Sequence, residues 1–463
     1  MSRATAFLAA SFVCGLLVAG SAPLARAQSL EDALIDAYTG NPTLKAEQAK
    51  LRQTDELVPQ AKAGWRPTAA VESSAGVEWI RRTFHDHLHD TSDHINNPVA
   101  ANLNVTQPVY QGGSTAAELR QANNSVLAER AQLAVVEEQI LLQAITAYVD
   151  VVRNAAIVDL TRNNQQVIGE QLKSTNERFD VGEVTKTDVS QAQARLAGAV
   201  ADVVQAQGNL TASQATYKQV IGSMPGKLTR PPVPTGLPRS ADEAVALSEH
   251  NPTVEAAIYV KQAARDGTDV VLGELLPSVS LVGSVGIDND VEGHDVTDKS
   301  ASISAQAVVP LYQAGSVASR VREQKQLVGQ RLDEIDQARR TAVQDASTAW
   351  EALDTARAQI KSFKAQVVSN KTALDGVIAE QQVGLRTVLD VLNAQQEVLN
   401  AEVSLVGAQH DEVAAAYQVQ AAIGKLTSID LSLPTPPYDV KQHYDEVKDK
   451  WWGLNASGQV PGQ

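Results

Sequence analysis

A short motif that occurs twice constrains the fold of this chain more than any other feature. The pattern V-G-x-x-T-x-x-D covers residues 181–188 and returns at residues 383–390. Glycine ends helices readily because it adopts the left-handed backbone conformation. A threonine followed three residues later by an acid, as before Asp188 and Asp390, forms a capping box at the start of the next helix. The motif predicts a tight reversal between two helices, and its two copies indicate an internal repeat.

Two long stretches without proline, residues 109–224 and 311–433, each contain one copy of this motif. Because proline inside a helix costs about 3 kcal/mol, both stretches are predicted to be mostly helical. Apolar residues that recur every seven positions predict coiled-coil packing. The predicted helices span residues 29–62, 114–179, 187–221, 241–274, 316–382 and 388–423.

Hydrophobic periodicity changes from helical to alternating in four segments, at about residues 67–80, 98–110, 277–288 and 300–311. The alternating runs have the length of tilted membrane strands with one apolar and one polar face. Trp65, Tyr110 and Tyr312 lie at the helix-side ends of these segments and Trp79 near a far end, as aromatic belts require. A half-buried sheet of a soluble protein is the alternative interpretation of the alternation alone.

The N-terminal residues 1–27 have the features of a secretory signal peptide: Arg3, an apolar run, and an A-x-A pattern before residue 28. The only cysteine, Cys14, lies in that run, so no disulfide is predicted in the mature chain. No later stretch reaches the roughly 18 apolar residues expected of a transmembrane helix. The formal net charge of -15 argues against a nucleic-acid partner. These features predict an exported protein, either soluble or crossing the outer membrane by strands.

A polar loop between the first two predicted strands contains His85, His87 and His89. Alternating histidines can bind a divalent metal, but on a loop they do not form a ready site, and we favour a solvated extracellular loop. No nucleophile–base arrangement or glycine-rich phosphate loop is recognisable. We therefore expect no metal, no cofactor and no enzymatic activity.

Four strands cannot span a membrane alone, because lipid does not tolerate open sheet edges and single-chain barrels need about eight strands. Chains must share a barrel, and three chains supply about twelve strands, enough for an open lumen. The predicted fold class is an α+β membrane protein. It is internally duplicated, with long α-helical coiled-coil hairpins that form an α-barrel and four membrane β-strands per chain in a shared 12-stranded trimeric β-barrel.

The repeat also predicts the domain organisation. A first repeat covers residues 28–226, with its tip turn at 180–188. A second covers residues 240–433, with its tip turn at 382–390. The predicted divisions between and after them are a proline-rich linker at 227–239 and a periplasmic tail at 434–463.

The duplicated strand–helix order, the two Y-Q-x-G turns at residues 110–113 and 312–315, and the two tip motifs resemble outer-membrane channel-tunnels of the TolC family. The resemblance covers residues 28–433. It implies a homotrimer in the outer membrane, with helices extending into the periplasm. It also implies a passive exit duct that receives proteins or small molecules from a periplasmic adaptor and an inner-membrane ABC or RND transporter.

The same resemblance assigns roles to residues of the tips. It places adaptor docking at Val181, Gly182, Val383, Gly384 and Leu385. It places a gating latch at Thr187, Asp188 and Arg386, and we expect Arg386 to pair with Asp188. An entrance ring is matched by Asp390 and Asn393, so that one of the family's two acids is lost. A latch tyrosine of a well-known member is matched by Gln381.

The sequence is also compatible with other functions. Protein secretion and small-molecule or multidrug efflux use the same kind of duct, and the aromatic tail at residues 438–453 favours secretion. A structural periplasmic or surface coiled-coil protein is disfavoured by the alternating strands. A periplasmic substrate-binding protein is disfavoured by the lack of a globular α/β pattern.

Overall fold

The structure, a computed structural model, describes residues 28–83, 91–291 and 295–455. Two predictions concern residues outside these ranges: the signal peptide at 1–27 and the loop histidines His85, His87 and His89.

Helices dominate the described residues and occur in two similar series. In the first they are α1 (Leu30–Gly40), α2 (Pro42–Asp55), α3 (Leu57–Ala63), α4 (Ser114–Asp180) and α5 (Lys186–Ile221). In the second they are α6 (Ala241–Ser248), α7 (Pro252–Gly273), α8 (Ser316–Gln382) and α9 (Val388–Ala422), and a short α10 (Gln442–Val447) lies in the tail. The helices α4 and α5 form one antiparallel hairpin, and α8 and α9 form the other. The prediction of two long helical hairpins is confirmed.

The predicted continuous helices at 29–62 and 241–274 are wrong, because each is divided at an Asn-Pro pair. The Asn41 side chain accepts a hydrogen bond from the Thr43 N–H (2.9 Å), which caps α2. Asn251 accepts from the Thr253 N–H at the same distance and caps α7. Proline is favoured in the first turn of a helix because it has no N–H to leave unpaired. Both pairs therefore begin a new helix.

The strands form one four-stranded antiparallel sheet and a separate hairpin. The sheet has the order β1 (Thr68–Ala75), β4 (Val99–Gln111), β5 (Ser278–Asn289), β6 (Thr297–Val308). The hairpin pairs β2 (Glu78–Thr83) with β3 (Thr91–Asn96). The first strand, expected to run unbroken over 67–80, stops at Ala75. Part of the expected loop at 81–97 is strand. The hairpin contains a bidentate ion pair between Arg81 and Asp93, with both contacts at 2.8 Å.

The two faces of the sheet differ in chemistry. On one face Val71, Leu103 and Val285 are direct cross-strand neighbours, and each is exposed. On the other face Ser284 pairs with Ser302, and their hydroxyls lie 2.8 Å apart. An exposed apolar face opposite a polar face is the pattern of a membrane strand with lipid on one side and a lumen on the other.

Within the part of the chain that the structure describes, both edges of the sheet are open. Every residue of β1 and of β6 is exposed, and each strand pairs along one side with its neighbour in the sheet. Unpaired backbone groups at a sheet edge cannot be left in lipid, where no water satisfies them. The edges therefore require strands from another source.

The main apolar core lies where α1 and α2 meet the middle of α4 and the C-terminal ends of α5 and α9. Tyr148 and Tyr217 are fully buried there, with ring centroids 6.4 Å apart. A stretch of α4 is apolar enough to cross a membrane by composition, but half of it is buried against other parts of the chain. We interpret α4 as a core helix.

A buried acid of α4 makes the stability of this core dependent on pH. Burial raises the pKa of Glu138 to about 8, the Leu426 N–H opposes this by hydrogen bonding, and Asp430 and Glu137 raise it further. The usual value is 4.5. Because the folded pKa lies above the unfolded one, the free energy of unfolding is highest at acidic pH. It falls as the pH rises from 4.5 through 8.

We expect Glu138→Gln to remove this pH dependence. Glutamine keeps an oxygen for the Leu426 N–H, so the variant should match the wild type near pH 5 and exceed its stability by about 2–4 kcal/mol near pH 9. Denaturant midpoints of the detergent-solubilised protein across this range measure the effect. Parallel pH profiles for the two proteins would contradict the prediction.

Candidate functional site

The tip of the first hairpin is built by hydrogen bonds among neighbouring residues. The Gly182 N–H donates to the Phe179 carbonyl oxygen (2.9 Å), and the Glu183 N–H donates to the Arg178 carbonyl oxygen (2.8 Å). Gly182 has φ of +81°. These contacts close α4 in the way that a left-handed glycine permits.

The next helix begins at the same tip with a capping box. The Asp188 N–H donates to Thr185 Oγ1 (3.3 Å), and the Thr185 N–H donates to Asp188 Oδ2 (2.9 Å). These bonds from Thr185 hold the pKa of Asp188 below its usual range. The carboxylate is therefore charged at neutral pH and already engaged within its own turn.

The second tip repeats this geometry. Gly384 also has φ of +81°, and the Leu385 N–H donates to the Glu380 carbonyl oxygen (2.9 Å). The Thr387 N–H donates to Asp390 Oδ2 (2.9 Å), and hydrogen bonds from Thr387 lower the pKa of Asp390. The predicted tight reversals with helix caps are confirmed at both tips.

Each tip also has one internal ion pair, with the charges in opposite order. In the first, Arg178 at the end of α4 lies 3.0 Å from Glu183 in the turn. In the second, Glu380 at the end of α8 lies 2.8 Å from Arg386 in the turn. Both pairs are largely exposed, so each contributes little to stability. They distinguish the two tips in charge although the backbones match.

The residues expected to dock an adaptor are exposed at these turns. Val181, Val383 and Leu385 are 72%, 70% and 76% exposed. Gly182 and Gly384 stand beside them, and a Cβ at either glycine would meet no atom within 4 Å. Apolar side chains at the ends of both hairpins give each tip a small hydrophobic surface, which is a feature of binding sites. Their role in docking stays a prediction.

The residues expected to form a latch lie at the tips, and within one chain Arg386 contacts a different acid, so its pairing with Asp188 stays a prediction. Arg386 Nε donates to Glu380 Oε2 (2.8 Å), whereas the Asp188 carboxylate accepts from Thr185. Thr187 is exposed in the first turn of α5. Gln381, which takes the place of a tyrosine, is buried. Within the described residues, the ion pairs do not include one between Arg386 and Asp188.

A different contact joins the two hairpins. Arg195 Nη2 of α5 donates to Asn393 Oδ1 of α9 (2.7 Å). Beside it, an apolar cluster connects α4 and α5 to α9 and contains Ile168, Ala192, Ala199, Val388 and Leu392. Near the tips, therefore, the hairpins are held by one charged hydrogen bond and a small apolar contact.

The contact changes the charge expected at the entrance. Asp390 and Asn393 were expected to form the entrance ring, with one acid where the family has two. The structure places the guanidinium of Arg195 on Asn393, close to where the second acid would stand. The ring would therefore have one acid fewer and also a positive charge nearby. We expect it to attract cations less strongly than a ring that had only lost the acid.

Sequence reasoning missed Arg195 and Glu380. Arg195 precedes Leu196, one of the apolar residues that recur every seven positions, but this spacing does not indicate which residue of α9 Arg195 contacts. The Glu380–Arg386 pair spans a turn, where the rules for pairs within one helix do not apply. Among the described residues, no group of three or more His, Cys, Asp or Glu side chains could hold a metal ion.

Comparison with known proteins gives one matching family, described as "Outer membrane efflux protein", over residues 34–223 and 245–425. The outer membrane efflux protein BepC of Brucella suis is 35% identical over 97% of this chain and 96% of its own length. The outer membrane protein TolC of Vibrio cholerae is 26% identical over 88% of this chain and 92% of its own length.

Two further proteins are similar to this chain. The alkaline protease secretion protein AprF of Pseudomonas aeruginosa is 23% identical over 64% of this chain and 63% of its own length. The crystal structure of the Campylobacter jejuni outer membrane channel CmeC has the same fold. It superposes with a TM-score of 0.77 at 17% identity and covers 91% of this chain and 89% of that one.

Proposed function

Because the chain belongs to the outer membrane efflux protein family, which includes TolC, we propose that it is the exit duct of a three-part export system. The fold class and the outer-membrane location predicted from the sequence are confirmed by this membership. So is the expectation that the chain is a channel and not an enzyme. The duct conducts its cargo passively from the periplasmic tips to the outside.

The proposal of a homotrimer is based on the two open sheet edges. With β1 exposed on one side and β6 on the other, the β6 edge of one copy can pair with the β1 edge of the next. Three copies close a ring of about twelve strands, which leaves no edge in lipid and encloses an open lumen. The polar face with Ser284 and Ser302 then lines the lumen.

The hairpin tips are the proposed docking site for a periplasmic adaptor and an inner-membrane ABC or RND transporter. Three copies bring six tips together around one opening. The exposed Val181, Val383 and Leu385 offer an adaptor small apolar contacts, and the two internal ion pairs give neighbouring tips different charge patterns.

The proposed cargo includes both proteins and small molecules. The names of the relatives support either one, because BepC is called an efflux protein and AprF an alkaline protease secretion protein. A deletion strain separates the two roles. Missing proteins in the culture medium would support secretion, and increased sensitivity to drugs and detergents would support efflux.

The assembly is tested by light scattering of the detergent-extracted protein, with the detergent mass subtracted, and by conductance in planar bilayers. We expect the mass of three chains and a discrete, voltage-stable conductance. A monomer without conductance would overturn the proposed duct, because four strands close no barrel.

We propose that contacts between hairpins near the tips hold the entrance narrow at rest. Arg195 and Asn393 supply one such contact. Thr187, Asp188 and Arg386 are candidates for contacts with the hairpins of neighbouring copies, since they lie at the tips.

Arg195→Ala is expected to raise the resting conductance at least about twofold, because a charged hydrogen bond between hairpins contributes roughly 1.5–3 kcal/mol. Arg178→Ala is the matched control, since it removes an ion pair within one hairpin. Single-channel recordings of both variants measure the effect. Equal conductance in Arg195→Ala and the wild type would exclude this contact as a latch.

A further inference from the structure

The C-terminal tail is tied to the outside of the helical body by specific polar contacts. The Tyr438 N–H donates to the Tyr38 hydroxyl (2.9 Å), and Arg52 Nη1 donates to the Tyr438 hydroxyl (3.1 Å). Farther along, His443 Nδ1 lies 3.2 Å from Asp55 Oδ2, and both side chains are buried. The tail therefore follows α2 in a fixed register.

The same tail continues past α3 to the base of the sheet. The Tyr444 hydroxyl donates to Asn123 Oδ1 (3.0 Å), and Lys62 Nζ lies 2.6 Å from Asp449 Oδ1. Arg66 Nη1 then donates to the Lys450 carbonyl oxygen (2.7 Å). Since β1 begins at Thr68, these contacts bring the tail to the periplasmic end of a membrane strand.

At this level the tail presents apolar side chains outward. Trp451, Trp452 and Leu454 are 65%, 86% and 94% exposed. The Arg66 guanidinium carbon lies 4.9 Å from the centre of the Trp451 ring, a cation–π distance that fixes the height of this ring beside the start of β1. The earlier part of the tail is held in contacts, whereas its end exposes two adjacent tryptophans.

We propose that Trp451, Trp452 and Leu454 form an interfacial anchor that inserts into the periplasmic leaflet of the outer membrane. Tryptophan is favoured at the boundary between headgroups and acyl chains, where the ring is apolar and the indole N–H stays hydrated. Trp65, Tyr110 and Tyr312 are exposed at the ends of the neighbouring segments. The anchor extends this aromatic belt outward from the sheet.

Charge complementarity favours phospholipid as the occupant. Arg66 contacts a backbone carbonyl oxygen and an aromatic ring, and Asp449, the acid near it, is already paired with Lys62, so the charge of Arg66 is available to a phosphate group. Lys450 contacts the carbonyl oxygen of Asn455, again a neutral partner. Two cations beside two tryptophans at the level of the headgroups match an anionic lipid surface. A neighbouring copy of the chain is the alternative occupant, and the experiment distinguishes the two.

Fluorescence quenching in vesicles tests the anchor. The trimer is reconstituted into vesicles of phosphatidylethanolamine and phosphatidylglycerol, with acyl chains brominated close to the headgroup. One variant keeps Trp452 as its only tryptophan, with phenylalanine at the other four positions. A second variant keeps only Trp350, which lies in α8 within the helical body. We expect brominated lipid to quench most of the Trp452 emission, soluble acrylamide to quench it weakly, and brominated lipid to leave Trp350 unquenched.

Two results would overturn the anchor. Strong acrylamide quenching of Trp452 without lipid quenching would place it in water, and protection from both quenchers would place it against a neighbouring chain. If the single-tryptophan variants do not form trimers, the variants Trp452→Phe and Trp350→Phe replace them. The anchor then requires that Trp452→Phe lowers the lipid-quenched share of the emission and that Trp350→Phe does not. An unchanged share in Trp452→Phe would reject it.

Discussion

Replacing Leu385 with aspartate is expected to abolish export while the channel still assembles in the outer membrane. Leu385 is 76% exposed at the second tip and has the largest apolar side chain of the two turns. An aspartate in an apolar contact must lose its hydration without gaining a partner. At a central contact residue we expect at least about 2 kcal/mol of lost binding energy, or roughly thirtyfold weaker adaptor docking.

The fold should tolerate this change because the turn does not depend on the Leu385 side chain. The structural contact of this residue is made by its backbone, through the hydrogen bond from its N–H to the Glu380 carbonyl oxygen. The reversal itself rests on Gly384 and on the cap formed by Thr387 and Asp390. None of these is altered, so trimer yield and thermal stability should equal those of the wild type.

Export assays and co-purification of the adaptor with each variant measure the effect. Met224→Asp is the matched control, because Met224 is 61% exposed and follows α5 at the end remote from the tip. It receives the same new charge and should export normally. If Leu385→Asp exported as well as the wild type, the apolar side chains of the tips would not be part of the docking site.

The parts of the fold that sequence reasoning predicted are those set by nearby residues. At each tip the glycine, the threonine and the acid make their contacts within a few positions, so the motif alone specifies the turn. The alternation in the strands likewise reflects which face meets lipid. The unexpected breaks at Asn41 and Asn251 follow from an equally local signal, because Asn-Pro is a strong start for a helix.

The contacts that escaped prediction join residues far apart in the sequence. Arg195 and Asn393 belong to different hairpins, and the meeting of Arg66 with Trp451 depends on the path of the whole tail. An arginine on a helix surface has many possible partners, and only the packing of α5 against α9 selects one. Arg386 is a different case, because its partner within one chain, Glu380, is only six residues away across the turn, and its pairing with Asp188 stays a prediction.

Two tyrosines are buried in the main core, and removal of the hydroxyl group should change the stability of the protein differently at each of them. The Tyr148 hydroxyl lies 2.9 Å from the Gln28 carbonyl oxygen and 2.8 Å from the Thr229 carbonyl oxygen, and it accepts a hydrogen bond from the Thr229 N–H (3.2 Å). It thereby ties Gln28 and the linker to α4. The Tyr217 hydroxyl is buried without a hydrogen-bond partner among the described residues, and burial raises its pKa.

We therefore expect Tyr148→Phe to lower the free energy of unfolding by about 1–3 kcal/mol, because the Thr229 N–H loses its partner inside the core. Tyr148→Ala also leaves a cavity and should cost about 3–5 kcal/mol. Tyr217→Phe removes a hydroxyl that gains nothing from burial, so it should be neutral or stabilising by up to about 2 kcal/mol. Denaturant midpoints of the solubilised variants measure all three. If Tyr217→Phe lowered the free energy of unfolding as much as Tyr148→Phe, the loss in Tyr148→Phe could not be assigned to the hydrogen bonds that tie the linker to the core.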